Sequence, residues 1–189
     1  MISETLLGIK DHLKAHLFGI SGQSSTTVKV ELKDISKNES PDAGIPDNSI
    51  VISLVNIEEE HTLKNNYPVR TLNNVTVKEE PVLFLNLYIL VAAVKFEQYD
   101  EALMQLGTVI SFFQSSKSIS ISSGNNPNSR LEVICHLYNI GFENLNNLWT
   151  VMGGKYMPSV IYKVRVLPYQ ASSPVSGPAI TEIEVANKK

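Results

Sequence analysis

Apolar residues recur at helical spacing in three parts of the chain. Near the start, Leu6, Ile9 and Leu13 predict an amphipathic helix over residues 2–18. A short helix is predicted over residues 144–152, and the two glycines that follow it, Gly153 and Gly154, are expected to end it. The strongest pattern lies between these two and predicts a helix whose buried stripe consists of Tyr99, Leu103, Leu106, Ile110 and Phe113.

Elsewhere apolar and polar residues alternate with the period of a β-strand. The segment 82–94 is apolar at both alternating sets of positions, so it predicts a strand that is covered on both faces. Ile119 and Ile121 precede a second alternating segment, 131–140, and the two predict a hairpin-like pair. Further strands are predicted at 28–32, 50–57, 75–77 and 160–167. These elements predict an α/β fold of the α+β kind, with a central mixed or antiparallel sheet flanked by about three helices.

Most of these elements fall within residues 1–167, which we expect to form one domain. Residues 168–178 are rich in Pro and Ser, a composition typical of a linker, so residues 168–189 are predicted to form a C-terminal arm. Within the arm, residues 180–185 have the character of a short strand. The polar segment 58–80 is predicted to leave the core and to offer a contact surface.

Composition and charge narrow the range of functions. A net charge of −3 argues against a free-standing nucleic-acid-binding protein, because the phosphate backbone attracts basic surfaces. The longest apolar run, 82–94, is shorter than the ~20 residues of a membrane-spanning helix. The first residues carry Glu4 where a signal peptide needs a basic segment. We therefore expect synthesis in the cytoplasm without a signal peptide, and neither nucleic acid nor membrane as a partner.

No set of residues in the sequence predicts a catalytic, cofactor-binding or metal site. His12 and His16 lie four residues apart, but no third ligand can be assigned to them. Cys135 and His136 are adjacent in a predicted strand and point to opposite faces, which excludes a nucleophile pair. The sequence has neither the G-x-S-x-G elbow of hydrolases nor a G-x-x-x-x-G-K-[ST] phosphate loop. We expect a protein that is not an enzyme and that needs no cofactor.

Four stretches occur in a characteristic order: VISLVNIEEE (51–60) with LKN (63–65), PVLFLNLYIL (81–90), YDEAL (99–103) through VISFFQ (109–114), and LNNLWTVMGGKYMPSVIYKVR (145–165). Together they resemble the tail-terminator, or cap, proteins of extracellular contractile injection systems, which are similar to the tail terminators of contractile-tailed bacteriophages. The last stretch is the most specific, because its Trp, Gly-Gly, Lys-Tyr and Pro-Ser follow one another at family-like spacing.

The resemblance implies a structural subunit that assembles, usually as a sixfold ring, on the distal end of the inner tube and sheath. Such a cap ends the polymerisation of both and anchors the last sheath disc. Its partners would be further copies of the chain and the sheath and tube proteins of a phage-tail-like particle that is released from the cell. The alternative is another ring component of the same particle, a tube or baseplate protein, and a small-molecule enzyme is a distant third.

Candidate assembly contacts are charged residues on or beside polar faces, together with the apolar residues of the arm. We expect Trp149, by contrast, to lie in the core, because it shares a helix face with Leu145 and Met152. The candidate contacts are Glu58, Glu59, Glu60, Lys64, Arg70, Lys155, Lys163, Arg165, Ile180, Ile183 and Val185.

Overall fold

A computed structural model describes residues 2–21, 28–37, 44–60, 69–72, 75–78, 83–122, 130–153, 155–169 and 175–177. These residues form three α-helices, a short 3-10 turn at Ile35–Lys37 and nine strands. The helices are α1 (Ile2–Ser21), α2 (Tyr99–Ser115) and α3 (Phe142–Val151). The strands are β1 (Lys29–Leu32), β2 (Ser49–Glu59), β3 (Val69–Leu72), β4 (Val75–Lys78), β5 (Leu83–Val94), β6 (Ser118–Ser122), β7 (Arg130–Leu137), β8 (Ser159–Tyr169) and β9 (Val175–Gly177).

Six strands form a curled mixed sheet in the order β1-β2-β5-β8-β7-β6. Only β1 and β2 run parallel, and every other neighbouring pair in this sheet is antiparallel. The expected α+β fold with a mixed sheet and three helices is therefore confirmed. A second, three-stranded sheet has the order β3-β4-β9.

The central strand β5 is buried on both faces, as its apolar pattern predicts. On one face, Leu87, Ile89 and Val91 join the main core with residues of α1 and α2. On the other face, Leu90 and Ala92 join a smaller core that contains Trp149 of α3. Alternation along one strand thus supplies both cores of the molecule.

Helix α1 packs against both edge strands of the curled sheet, β1 and β6. Its buried residues Leu6, Ile9, Leu13 and Leu17 belong to the main core. Gly8 lies so close to Ile121 of β6 that a Cβ at this position would stand 2.8 Å from Ile121 Cγ1, and nearer still to Cγ2. The absence of a side chain at Gly8 therefore sets the distance between α1 and the β6 edge.

Helix α2 forms where expected but presents a different face to the core. Tyr99 and Leu103 of the predicted stripe are 66% and 47% exposed, whereas Leu106 and Phe113 are buried as expected. The residues that α2 buries are Ala102, Leu106, Val109, Phe112 and Phe113. α2 contacts β5, and the face that it buries is shifted away from Tyr99 and Leu103 toward the smaller Ala102 and Val109.

The C-terminal region contains a strand that the sequence pattern does not predict. β9 pairs antiparallel with β4, with Ser176 opposite Val77. The segment 180–185, for which a strand is expected, lies outside the described residues. The division into a domain at 1–167 and an arm at 168–189 stays a prediction.

Two further features bear on chemistry. Cys135 is buried in the main core, and this burial raises the pKa of its thiol to about 12. In the part of the chain that the structure describes, no helix is both long and apolar enough to cross a bilayer.

We predict that Gly8→Ala destabilises the fold by about 1–3 kcal/mol, because the added methyl group overpacks against Ile121. Gly107→Ala is the matched control, since a Cβ at this helical position meets nothing within 4 Å. The control should stabilise the protein by ~0.5–1 kcal/mol through helix propensity alone. Urea denaturation measures both, and equal stabilisation by the two substitutions would contradict the close approach.

We predict that Trp149→Ala lowers the free energy of unfolding by about 3–5 kcal/mol, the usual cost of deleting a buried large aromatic side chain. Trp149 is 3% exposed and stands edge-on to Tyr156, with ring centroids 5.7 Å apart. Phe142→Ala on the same helix is the control, because Phe142 is 91% exposed. Thermal melting measures the effect. If both variants had the melting temperature of the parent, the assignment of α3 as a core helix would be refuted.

Candidate assembly surface

The sheet face that α3 covers changes from apolar to polar along its strands. α3 and Trp149 cover the part around Leu90 and Ile161. Beyond it, strand register aligns two rows of polar side chains across β2, β5 and β8. One row is Asn56, Tyr88 and Lys163, and the other is Glu58, Asn86 and Arg165. We call these six residues and Glu60 the polar face.

Glu60 holds the polar face together. It directly follows the last residue of β2, and its backbone N–H donates to the Phe84 carbonyl at 2.8 Å. The residue as a whole is only 6% exposed. Asn86 Nδ2 and Arg165 Nη2 donate to Glu60 Oε2 at 3.0 and 3.2 Å. Lys163 Nζ lies 3.8 Å from the same oxygen. One buried carboxylate therefore fixes two cations of β8.

Glu58 organises the other half of the polar face. Its carboxylate accepts hydrogen bonds from Asn56 Nδ2 at 3.1 Å and from the Tyr88 hydroxyl at 2.9 Å. Tyr88 meets Tyr138 edge-to-face at 4.9 Å, and Lys163 Nζ lies 6.0 Å from its ring centroid. Desolvation, followed by the hydrogen bond to Glu58, raises the pKa of Tyr88 to about 12. Tyr88 thus remains a neutral donor across the physiological range.

The structure brings together four of the residues that the sequence singles out, although Glu60 and Arg165 are 105 residues apart in the sequence. Glu58, Glu60, Lys163 and Arg165 all belong to the polar face. Glu59 is exposed and points to the opposite side of β2, and Lys155 is exposed beyond α3. Arg70 lies on β3, opposite Val77 of β4. Lys64, Ile180, Ile183 and Val185 lie outside the described residues.

Asn56, Asn86 and Tyr88 are members of the polar face that are not among the contacts predicted from the sequence. Asn86 could have been recognised from the sequence, because it interrupts the apolar run 82–94. It is 2% exposed, and in the described part of the chain its Oδ1 has no hydrogen-bond partner. A buried amide within a core strand indicates a specific polar partner, which here is Glu60.

The chemistry of the polar face suits binding. Its charged groups neutralise one another and are held in place by hydrogen bonds. Cys135, the chain's one thiol, is buried in the main core on the opposite side of the sheet. Within the described ranges, no three His, Cys, Asp or Glu side chains are grouped so that they could hold a metal ion.

Comparison with known proteins gives a family and a fold. Residues 5–182 match the Pvc16 N-terminal domain family. The sheath/tube terminator of an extracellular contractile injection system, PVC, in its extended state shares the fold at 13% identity, with a TM-score of 0.62 over 100% of this chain and 64% of that chain. The tube terminating cap of the anti-feeding prophage (AFP) does so at 13% identity, with a TM-score of 0.65 over 97% of this chain and 60% of that chain. The chain spans less than two thirds of either protein, and no curated protein matches it in sequence.

We predict that Glu60→Gln destabilises the fold by about 1–3 kcal/mol. The substitution removes the buried negative charge beside Lys163 and Arg165. It also introduces an amide N–H donor next to groups that themselves donate hydrogen bonds to this position. Glu59→Gln changes an exposed neighbour in the same way and should stay within about 0.5 kcal/mol of the parent. Urea denaturation at low salt is the measurement, and equal midpoints for the two variants would show that Glu60 does not organise the polar face.

Proposed function

This chain belongs to the Pvc16 N-terminal domain family, and from that membership we propose that it is a structural cap that terminates the inner tube and sheath of a contractile injection system. One observation carries the proposal: nearly the whole chain shares its fold with two proteins that terminate such assemblies. Both are structural components, which supports a role without catalysis.

We further propose that copies of the chain close into a ring, which we expect to be sixfold, at the distal end of the particle. Tube and sheath grow by adding identical subunits through one repeating interface. Such an open assembly stops only when its last edge is occupied by a subunit that does not regenerate it. A closed ring meets this condition and would anchor the last sheath disc. The protein would then leave the cell as part of the particle.

The polar face is the surface that we propose for contacts with the sheath or tube. Glu58, Lys163 and Arg165 present partly exposed charges whose positions are fixed by neighbouring side chains. Glu60 is buried, so we assign it the role of positioning these charges. Lys155, Arg70 and Lys64 are proposed as peripheral contacts, and the arm residues 168–189 as a contact between copies.

We predict that a strain lacking this protein assembles baseplates and starts tubes and sheaths normally, but makes particles without a defined end. Electron microscopy should show a broad length distribution, or sheaths that slide off or contract early, because nothing occupies the last edge of either polymer.

Restoring the intact chain should return a single particle length, and restoring an Arg165→Glu variant should do so poorly if the polar face binds sheath or tube. Particles of normal length with a firmly attached sheath in the deletion strain would refute the cap. Long tubes formed by the purified chain alone would favour the alternative of a tube component.

A further inference from the structure

The outer side of helix α2 carries large apolar side chains near its N-terminal end. Tyr99, Leu103 and Met104 are 66%, 47% and 62% exposed. All three fall within residues 99–104, so they form a group and differ from the single exposed apolar residues that are common on protein surfaces. We call these three residues, together with Asp100 and Gly107, the α2 surface.

Asp100 and Gly107 lie between the apolar side chains of the α2 surface. At about 100° per residue, both fall between Leu103 and Met104 in direction around the helix axis. Gly107 lies one turn after Leu103, and a Cβ built on it would meet nothing within 4 Å. Asp100 is exposed one turn before Leu103. The α2 surface is therefore a notch at Gly107 with apolar walls and a carboxylate toward its N-terminal end.

The packing of α2 leaves the α2 surface facing outward. Helix α1 meets α2 on the side of Phe112, where the rings of His16 and Phe112 lie 5.2 Å apart. Phe112 follows Leu103 by nine residues, which places it on the opposite side of the helix. A third side, with Val109, is buried in the main core. Because α2 packs on the main-core face of the sheet, the α2 surface and the polar face lie on opposite sides of the sheet.

The α2 surface is acidic. The 17 residues of α2 include Asp100 and Glu101 but no Lys, Arg or His, and the exposed Glu97 precedes the helix. The nearest cations along the sequence lie outside the helix, and one of them, Lys95, donates to a backbone carbonyl at 2.9 Å. The other, Lys117, follows the C-terminal end of α2. Acidic residues in the first turn stabilise a helix through its dipole, but this does not account for the exposed apolar residues beside them.

We propose that the α2 surface binds a segment of a partner protein in which Lys or Arg side chains lie beside apolar ones. The proposal rests on the function proposed above, and the partner is a subunit of the particle other than this chain. The aliphatic part of a Lys or Arg side chain packs at the Gly107 notch between Leu103 and Met104, and its charged end lies toward Asp100. Tyr99 adds an amphipathic ring of the kind that is enriched at interfaces.

Charge argues against the other classes of partner. Anionic lipids and nucleic-acid phosphates attract basic surfaces, and helices that lie on membranes usually carry Lys or Arg on their polar face. α2 has neither residue. A second copy bound through the same surface would place two acidic surfaces against each other, which costs binding energy. A partner segment with Lys or Arg is therefore the occupant that the charge of the α2 surface favours.

A defined peptide tests the charge and shape of the α2 surface. The probe is a labelled amphipathic peptide of Leu and Lys, compared with the same peptide in which Glu replaces Lys. We expect the full-length parent to bind the Leu/Lys peptide, more weakly as salt is added, and not the Leu/Glu peptide. Asp100→Lys and Met104→Lys should each weaken binding by about tenfold or more. Fluorescence anisotropy of the peptide measures the dissociation constants.

Two substitutions on α3 are matched controls. Glu143 lies in the first turn of α3 as Asp100 does in α2, and Val151 is an exposed apolar residue on α3, as Met104 is on α2. Glu143→Lys and Val151→Lys therefore make corresponding changes on another helix and should bind the peptide like the parent. Asp100→Glu keeps the negative charge and should also bind like the parent. Circular dichroism shows that each variant is folded.

Four results would overturn the proposal. The first is parental binding of the Leu/Lys peptide by Asp100→Lys and Met104→Lys, and the second is an equal loss in the α3 controls. The third is loss of self-association in Asp100→Lys, which would assign the α2 surface to another copy of the chain. The fourth is binding of the parent to phosphatidylglycerol vesicles, which would assign the surface to a membrane.

Complementation of the deletion strain tests the α2 surface within the particle. Asp100→Lys should restore a single particle length poorly, whereas Glu143→Lys should restore it fully. Full restoration by Asp100→Lys would overturn the proposal and leave the cap standing. Particles of normal length in the deletion strain would instead refute the cap itself, and that result does not depend on any variant of α2.

Discussion

The burial of β5 on both faces is the constraint that organises this molecule. A strand of 12 residues spans about 40 Å, whereas α3, with 10 residues, spans about 15 Å. α3 can therefore cover only part of one face, around Leu90 and Ala92. The remainder of that face carries polar side chains, of which Asn86 Nδ2 and the Tyr88 hydroxyl donate to two glutamates. The limit of α3 thus sets where the core ends and the polar face begins.

The polar face is organised before any partner arrives. Glu60 fixes Arg165 and Lys163, and Glu58 fixes Tyr88, so these side chains have already lost much of their rotamer freedom. Ordering long side chains at an interface costs about 0.5–1.5 kcal/mol for each one. A surface that has met this cost during folding binds a complementary partner with less loss of entropy. Such a surface suits the structural role proposed above, in which the chain binds other subunits.

The sequence predicted what depends on neighbouring residues and missed what depends on distant ones. Alternation located β5 and β8, since a strand's period is local. The buried stripe predicted for α2 is partly wrong, because the hydrophobicity of the helix alone does not show which of its faces the sheet covers. The burial of Glu60 depends on Arg165, 105 residues away, and no local pattern contains that pairing. β9 has the composition of a linker and is a strand only because β4 lies beside it.

The burial of Cys135 has a practical consequence. Thiol reagents attack the thiolate, and a pKa of about 12 leaves almost none of it at neutral pH. The thiol is also 5% exposed, so reagents have little access to it. Because the chain contains one cysteine, a second one introduced at any exposed position would be the only site that reacts with a maleimide dye or forms a disulfide cross-link. The wild-type background is thus suited to mapping neighbours within an assembled particle by site-directed labelling.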